Sequence, residues 1–177
     1  EERQQDIRIA VNVSAIQFGE GDLVQHVVDT LQKTGLPSDL LELEITESAL
    51  MNDMEETRDT LLQLRRLGVQ IAIDDFGTGY SSLSYLQNFP LDRIKIDQSF
   101  VRDLTENSET AEITLAIISM AHGLKLKVIA EGVETDDQRH FLKSQTCEEL
   151  QGFYFSRPLP AKDIEQLLSS PILGVEK

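Results

Sequence analysis

The sequence lacks the residues that would crosslink the chain or carry it into a membrane. Cys147 is the only cysteine among 177 residues, which excludes an internal disulfide and any cysteine-based zinc cluster. A single cysteine suits a reducing compartment, so we expect a cytoplasmic location. No apolar run approaches the roughly 20 residues that span a bilayer. We therefore expect no direct membrane contact from this segment.

Basic residues are also scarce. Sixteen Lys and Arg stand against 31 Asp and Glu, and the formal net charge is -15. This charge repels nucleic-acid backbones, so we expect no polynucleotide partner. A small anionic ligand remains compatible with this net charge if bound cations, or local Lys and Arg, make the binding site positive. The 40% of hydrophobic residues is enough for one domain with a core, and no low-complexity linker divides the chain.

Short β-branched runs alternate with longer amphipathic runs, which is typical of repeated βα units around a parallel sheet. The predicted strands begin near Ile7, Leu41, Val69, Asp92, Leu126 and Glu149. Helical spacing of apolar residues predicts helices over 22–33, 55–67 and 110–121, and a last helix after Pro160. The helix C-caps are predicted at Gly35, Gly68 and Gly123.

About six βα units are about two fewer than a complete (β/α)8 barrel of about 250 residues. Two α/β architectures fit this shortfall. One is an open, doubly wound sheet of some six strands. The other is a TIM-like (β/α)8 barrel that is present as a truncated piece of about six units.

Polar side chains stand at the carboxyl end of every predicted strand, where ligand sites form in parallel α/β folds. They are Asn12, Glu44, Asp74 with Asp75, Lys95 with Asp97, Glu131, and Gln151. In a chain this rich in acidic residues, any single one of these side chains could stand at a strand end by chance. Several of them, however, interrupt apolar strands, where burying an unpaired carboxylate costs free energy. Two carboxylates about 4 Å apart repel by about 4 kcal/mol at an effective dielectric of 20, so a cluster needs cations or protons. Oxygen ligands without His or Cys favour magnesium or manganese over zinc.

The adjacent pair Asp74 and Asp75 can reach two different metals or bridge them. Two metals about 3.5 to 4 Å apart clamp the attacking and leaving oxygens of an in-line phosphoryl displacement. Gly77 and Gly79 allow a tight loop beside the pair. We interpret the three histidines, which fall in or at the ends of predicted helices, as structural or surface residues: His26, His122 and His140.

Six motifs follow one another in a specific order: A-V-N-V-S-A-I-Q-F, L-E-L-E-I-T-E-S, I-D-D-F-G-T-G-Y-S-S-L-S-Y-L, I-K-I-D-Q-S-F-V, V-I-A-E-G-V-E-T and L-Q-G-F-Y-F-S-R-P-L-P. With them the chain resembles the EAL-domain family, bacterial phosphodiesterases that open cyclic di-GMP to linear pGpG. The resemblance runs from about Arg8 to Leu168. It implies a barrel fold and hydrolysis by a water that two metals activate.

The resemblance also implies roles for individual residues. Asn12, Glu44 and Asp74 would bind one metal, and Asp74, Asp75 and Glu131 the second. The implied cofactor is Mg²⁺ or Mn²⁺, with Ca²⁺ expected to inhibit. The implied catalytic residues are Lys95, which would contact the water, together with Glu131 and Asp75.

Four further positions match the family motifs. Glu47 would steady the loop that carries D-F-G-T-G, and Gln151 would contact the water or the substrate. Arg157 and Pro158 would line a guanine-binding edge. The resemblance further implies a homodimer formed by the helices after D-F-G-T-G-Y and I-D-Q-S-F, with sensor or diguanylate-cyclase domains in the parent chain. The alternative for Leu83 and Leu86 is that they only pack on the sheet.

The Glu-Ala-Leu motif that names the family is absent. In the family it lies upstream of the segment that matches Arg8 to Val13, so we expect residues 1–177 to be an EAL phosphodiesterase domain that is incomplete at its N-terminus. One metal-binding glutamate and an arginine for the substrate phosphate would then be missing.

Three other functions fit the same residues. The first is a receptor that binds cyclic di-GMP without cleaving it. The second is a magnesium-dependent enzyme of carbonyl chemistry with Lys95 as the base. The third is a purely structural reading, in which the acidic residues at the strand ends only aid solubility. This reading predicts that the chain binds no divalent metal.

The chain by itself is expected to hydrolyse cyclic di-GMP poorly and to associate through an exposed sheet edge, because part of the metal site and two barrel strands would be missing. The measurement is chromatographic detection of pGpG, with magnesium, for this chain and for a form extended upstream through those strands. An active extended form beside a silent chain is the expected result. Equal turnover by the two forms would contradict it.

Overall fold

The computed structural model describes residues 7–19, 21–51, 54–78, 86–105 and 108–168. Six parallel strands form one sheet in chain order: β1 (Ile9–Val13), β2 (Leu41–Thr46), β3 (Gln70–Phe76), β4 (Arg93–Ile96), β5 (Lys127–Ala130) and β6 (Glu149–Leu150). A doubly wound sheet reverses its strand order part-way, whereas a TIM barrel keeps each strand beside its successor. The observed order confirms an α/β half-barrel and excludes the doubly wound alternative.

Helices connect the strands: α1 (Ala15–Gly19), α2 (Leu23–Thr34), α3 (Met54–Arg66), α4 (Gln98–Arg102), α5 (Ser108–Gly123), α6 (Asp136–Ser144) and α7 (Ala161–Leu168). Two short 3-10 helices are Ser38–Leu40 and Glu47–Met51. The three long helices and the last helix that periodicity predicts are confirmed to within two residues at each end. Within the described ranges, no helix has both the length and the apolar content needed to cross a bilayer.

The predicted helix ends are confirmed at two of three glycines. Gly35 and Gly68 have left-handed φ angles of 71° and 94°. The prediction for Gly123 is wrong, because α5 includes Gly123 and the left-handed residue is Lys125, at φ 62°. The chain turns there because the N–H of Lys125 donates to the carbonyl of His122, and the N–H of Leu126 donates to that of Ala121.

The two faces of the sheet differ in chemistry. Side chains alternate between faces along a strand. One set of buried residues is aliphatic and belongs to the hydrophobic core: Leu43, Ile45, Ile71, Ile73, Ile94 and Ile96. The other set is charged and also buried: Glu42, Glu44, Asp74, Arg93 and Lys95. Burial on both faces of the central strands is therefore confirmed, but ion pairs fill the inner face.

Each outer strand has one neighbour among the residues that the structure describes. The strand β1 pairs with β2, and β6 pairs with β5. Ile9 and Val11 on β1 are nearly half exposed, at 48% and 45%. The described strands thus leave the barrel open between β1 and β6. Leu86 is buried in the core, and Leu83 lies outside the described residues.

The burial of the Cys147 thiol depends on the packing of β6 against β5. Its thiol is buried and lies 3.6 Å from the carbonyl oxygen of Val128 and 3.4 Å from that of Glu149. Burial, with a smaller contribution from Glu148, raises the pKa of the Cys147 thiol to about 12.

We therefore expect native Cys147 to react very slowly with Ellman's reagent at pH 8, because little thiolate forms and the sulfur is enclosed. Unfolding in urea returns the pKa to about 8.5 and should make the reaction rapid. The measurement is the rate of thionitrobenzoate release. A Ser144→Cys variant, with a second and exposed thiol on α6, is the positive control. Fast labelling of native Cys147 would contradict the packing of β6 on β5.

Candidate active site

Lys95 on β4 is the centre of a buried cluster of ion pairs. Its Nζ lies 2.8 Å from Glu44 Oε2, 2.9 Å from Asp74 Oδ1 and 2.9 Å from Glu131 Oε1. Glu44 is on β2, Asp74 is on β3, and Glu131 directly follows β5. The structure therefore brings the polar residues of four strand ends together around one ammonium group.

The electrostatics of this cluster keep Lys95 charged. Burial alone lowers the pKa of the ammonium, but hydrogen bonds to Glu44, Glu131 and Asp74 outweigh it and hold the pKa well above its usual range. Burial raises the pKa of the Glu131 carboxyl, although Lys95 opposes that shift. The three carboxylate contacts therefore favour the charged form of Lys95, which suits a fixed positive charge better than a base.

A strand irregularity places Asp75 beside Asp74. Neighbouring residues of a regular strand point to opposite faces. Here the pairing of β3 with β4 shifts register between Ile73 and Phe76, and Asp75 has a left-handed φ of 53°. Carboxylate oxygens of Asp74, Asp75 and Glu131 consequently lie within 4.8 Å of one another. Partial burial, and then the charges of Asp74 and Asp97, raise the pKa of Asp75.

The donor set of this cluster fits divalent cations. Three carboxylates contact a single ammonium, and Asp75 adds a fourth carboxylate beside Asp74 and Glu131, so negative charge remains in excess. All the ligand atoms are hard oxygens, which magnesium, manganese and calcium prefer. Asp74, Asp75 and Glu131 could hold one such ion. Asn12 pairs in register with Glu44 and could extend the set, with the exposed β1 as its support.

Glu47 contacts the loop that follows the aspartates. Its buried side chain accepts a hydrogen bond from the N–H of Gly77, at 3.4 Å from Oε2. A Cβ at Gly77 would lie 2.8 Å from the ring of Phe100, and φ there is 98°, so this position requires glycine. Glu47 therefore holds the start of the loop, while Gly79 lies outside the described residues.

A cleft of about 260 Å³ opens beside the acidic cluster. Its lining contains Asp75, Glu131 and Gln151 among the residues that the sequence predicts. It also contains residues to which the sequence assigned no specific role: Asp97, Gln98, Gly132, Glu134, Gly152 and Phe153. Asp97 stands at a predicted strand end, and Glu134 lies in the same motif as Glu131. Both positions in the sequence therefore indicate side chains near the site. Nothing in the pattern of the sequence distinguishes Phe153 from a core aromatic residue.

Two loops of the cleft are joined by backbone hydrogen bonds. The N–H of Val133 donates to the carbonyl of Gln151 at 3.0 Å, and the N–H of Tyr154 donates to the carbonyl of Val133 at 2.9 Å. The two backbones approach so closely that a Cβ on Gly152 would lie 2.2 Å from the Val133 oxygen. The positions of Glu131 and Gln151 are therefore coupled.

Arg157 and Pro158 follow the cleft residues Gln151, Gly152 and Phe153 in the chain, are exposed, and are not among the residues that line the cleft. The guanidinium of Arg157 lies 4.6 Å from the ring centroid of Phe153, a cation–π contact. Arg157 thus reaches the cleft through Phe153. The three histidines lie on α2, α5 and α6, as predicted, and none of them lines the cleft.

A family model described as the EAL domain matches residues 1–158. The chain belongs to the EAL domain family. Among curated EAL relatives, it is 50% identical to the cyclic di-GMP phosphodiesterase NbdA of Pseudomonas aeruginosa over 162 residues, which cover 92% of this chain and 21% of NbdA. It is 49% identical to the signaling protein YkoW of Bacillus subtilis, over 92% of this chain and 20% of YkoW. The chain thus spans about a fifth of the length of these relatives.

Solved structures of EAL proteins share the fold. The PaMucR phosphodiesterase, in complex with c-di-GMP, matches with a TM-score of 0.86 and 46% identity over 89% of this chain and 64% of that one. BlrP1 of Klebsiella pneumoniae, in a manganese and cyclic di-GMP complex, matches with a TM-score of 0.78 and 36% identity over 85% of this chain and 39% of that one. A calcium complex of BlrP1 matches with a TM-score of 0.80 and 35% identity over 87% of this chain and 39% of that one.

A Gly152→Ala substitution tests the coupling of the two cleft loops in this EAL chain. The added methyl group would overlap the Val133 backbone, so we expect a loss of about 2 to 3 kcal/mol in the free energy of unfolding. The measurement is urea denaturation followed by circular dichroism. Gly123→Ala is the matched control, because a Cβ at Gly123 meets nothing within 4 Å, and it should be neutral or slightly stabilising. Equal stability of the two variants would show that the loops are not held together.

Proposed function

We propose that this chain carries the catalytic residues of a divalent-metal-dependent phosphodiesterase that opens cyclic di-GMP to linear pGpG. The observation that carries the proposal is the convergence of Asp74, Asp75 and Glu131 on one point beside Lys95, at the mouth of a cleft. The names of NbdA and PaMucR support the reaction class, and the c-di-GMP in the PaMucR complex supports the ligand.

The proposed metal ligands are Asn12, Glu44 and Asp74 for one ion, and Asp74, Asp75 and Glu131 for the second. Magnesium or manganese is the proposed physiological ion, with calcium as an inhibitor. Such ions, when bound, supply positive charge to the phosphate and make a water easier to deprotonate. The excess negative charge of the cluster and the raised pKa values of Asp75 and Glu131 support this assignment, because a cation would relieve both.

Lys95 acts in this proposal as a permanent positive charge. Its ammonium holds three carboxylates in place and faces the position where negative charge develops on the phosphate. Glu131 is the residue best suited to orient the water and accept its proton, because burial raises the pKa of its carboxyl. Asp75 is the proposed third catalytic group, and it contributes through its position at the edge of the cleft.

The proposed substrate contacts come from the cleft wall. Gln151 offers an amide to the phosphate or the water, and Arg157 with Pro158 borders the site for a guanine base. Asp97 and Glu134 add carboxylate acceptors, which suit the N–H groups on the hydrogen-bonding edge of guanine. Glu47 supports these contacts indirectly, through its hydrogen bond to Gly77.

A second copy of the chain is the proposed protein partner. The helix α5 and Gln87 line an apolar groove of about 600 Å³, and Ile113 at its edge is 47% exposed. An exposed groove of this composition suits a hydrophobic contact between subunits.

An Asp74→Asn substitution tests the proposed function. Asp74 would bind both ions, so its loss should lower kcat for cyclic di-GMP by about 100-fold or more. The measurement is pGpG formation with manganese, in this chain and in the form extended upstream. Asp59→Asn, which neutralises an exposed acid on α3, is the matched control and should leave kcat unchanged.

Two results would contradict the proposal. Binding of cyclic di-GMP by the extended form without cleavage would assign the domain to the receptors. If calorimetry showed no binding of divalent metal, the acidic cluster would serve only the solubility of the chain.

A further inference from the structure

A second layer of charged groups lies on the inner face of the sheet, next to the Lys95 cluster and further from the strand ends. Its centre is Arg93, whose side chain is 2% exposed. The guanidinium donates through Nη1 to Glu42 and Gln70, and through Nε to Glu149 Oε1 at 3.2 Å. The layer therefore joins β2, β3, β4 and β6 through one side chain.

This layer repeats the arrangement of the candidate site two residues earlier along each strand. Arg93 precedes Lys95 on β4, and Glu42 precedes Glu44 on β2. Residues two apart on a strand face the same side and are separated by about 6.6 Å. Each layer has one cation from β4 and one buried carboxylate from β2, and the two ion pairs lie side by side.

Both ion pairs cross over β3, which lies between β2 and β4. At this level β3 contributes two side chains. Gln70 pairs in register with Glu42 and accepts a hydrogen bond from Arg93. Ala72 is fully buried and pairs in register with Glu44 on one side and Arg93 on the other. A methyl side chain leaves room for the long arms of β2 and β4 to meet above it. The contact between Arg93 and Glu42 therefore restricts how far β2 and β4 can move apart.

We propose that Arg93 is a positioning residue for the reaction: through Glu42 it sets the spacing of β2 and β4, and so the contact of Lys95 with Glu44. This inference rests on the proposed function. Stability alone is a weak reason for the pair, because an apolar pair of similar volume often stabilises a core as well or better. A reactive site, by contrast, loses about 100-fold in rate when a group moves by about 1 Å.

The test replaces the pair by apolar residues of similar size, in the double variant Arg93→Met/Glu42→Leu. Glu149 keeps contact with water because its side chain is 42% exposed, so the double variant should stay folded. In the form extended upstream, we expect kcat for cyclic di-GMP to fall about tenfold with KM within about twofold, because the cleft loops keep their own hydrogen bonds. Mn²⁺ affinity, measured by calorimetry without substrate, should weaken about tenfold as well.

Two controls separate positioning from packing. Thr114→Val removes a fully buried hydroxyl that donates to the carbonyls of Phe100 and Thr110, away from the inner face. It should lower the urea midpoint but leave kcat and Mn²⁺ affinity unchanged. Arg93→Lys keeps the charge opposite Glu42 and should recover most of the kcat that the double variant loses.

A crystal structure of the double variant gives a readout that needs neither metal nor turnover. The distance from Lys95 Nζ to Glu44 Oε2, 2.8 Å here, should increase by about 1 Å or more. An unchanged distance, or normal kcat and Mn²⁺ affinity in the double variant, would overturn the inference. Absent turnover in the unaltered form extended upstream, with a lengthened distance in the double variant, would overturn the proposed function and leave the positioning role supported.

Discussion

The site depends on one buried ammonium that three carboxylates share. Glu44, Asp74 and Glu131 come from β2, β3 and the end of β5, and each lies within 2.9 Å of Lys95 Nζ. Without that charge, the acids would repel one another at positions that are largely buried. One ammonium cannot balance all of them once Asp75 is added. The same interaction thus holds the strand ends together and leaves a net negative charge that divalent cations can neutralise.

The two charged layers of the inner face differ in their balance of charge. In the Arg93 layer, Glu42 and Glu149 are balanced by Arg93 and by Arg8, whose Nη1 lies 3.9 Å from Glu149 Oε1. The Lys95 layer has an excess of acid. A further ion would upset the charge balance of the Arg93 layer. A cation bound to the Lys95 layer would instead neutralise its excess negative charge. This difference in charge explains why two similar arrangements, about 6.6 Å apart, would serve different purposes.

Much of the candidate site could be predicted from the sequence, because the carboxyl ends of the strands in parallel α/β folds converge. Asn12, Glu44, Asp74, Lys95, Glu131 and Gln151 were identified from their places in the pattern, and the structure brings Glu44, Asp74, Lys95 and Glu131 into contact. Other features could not be read in this way. The convergence of Asp74 and Asp75 needs a register shift, and the cap predicted at Gly123 is displaced to Lys125 by contacts of the turn. Phe153 joins the cleft only because Gly152 lets two backbones approach.

The sequence by itself determined the order of the βα units, the helices and the presence of oxygen-bearing side chains at the strand ends, because these follow from local periodicity and from the chemistry of single side chains. The tertiary structure decided which charges meet. Glu42 and Arg93 are 51 residues apart in the chain, and so close in space that they share a buried hydrogen bond. Such pairing depends on strand register, which places Gln70 of β3 beside Glu42 and Ala72 beside Arg93, and register is not encoded in any local stretch of sequence. The physical reason is that ion-pair energies depend on distance and burial, which the fold sets and composition does not.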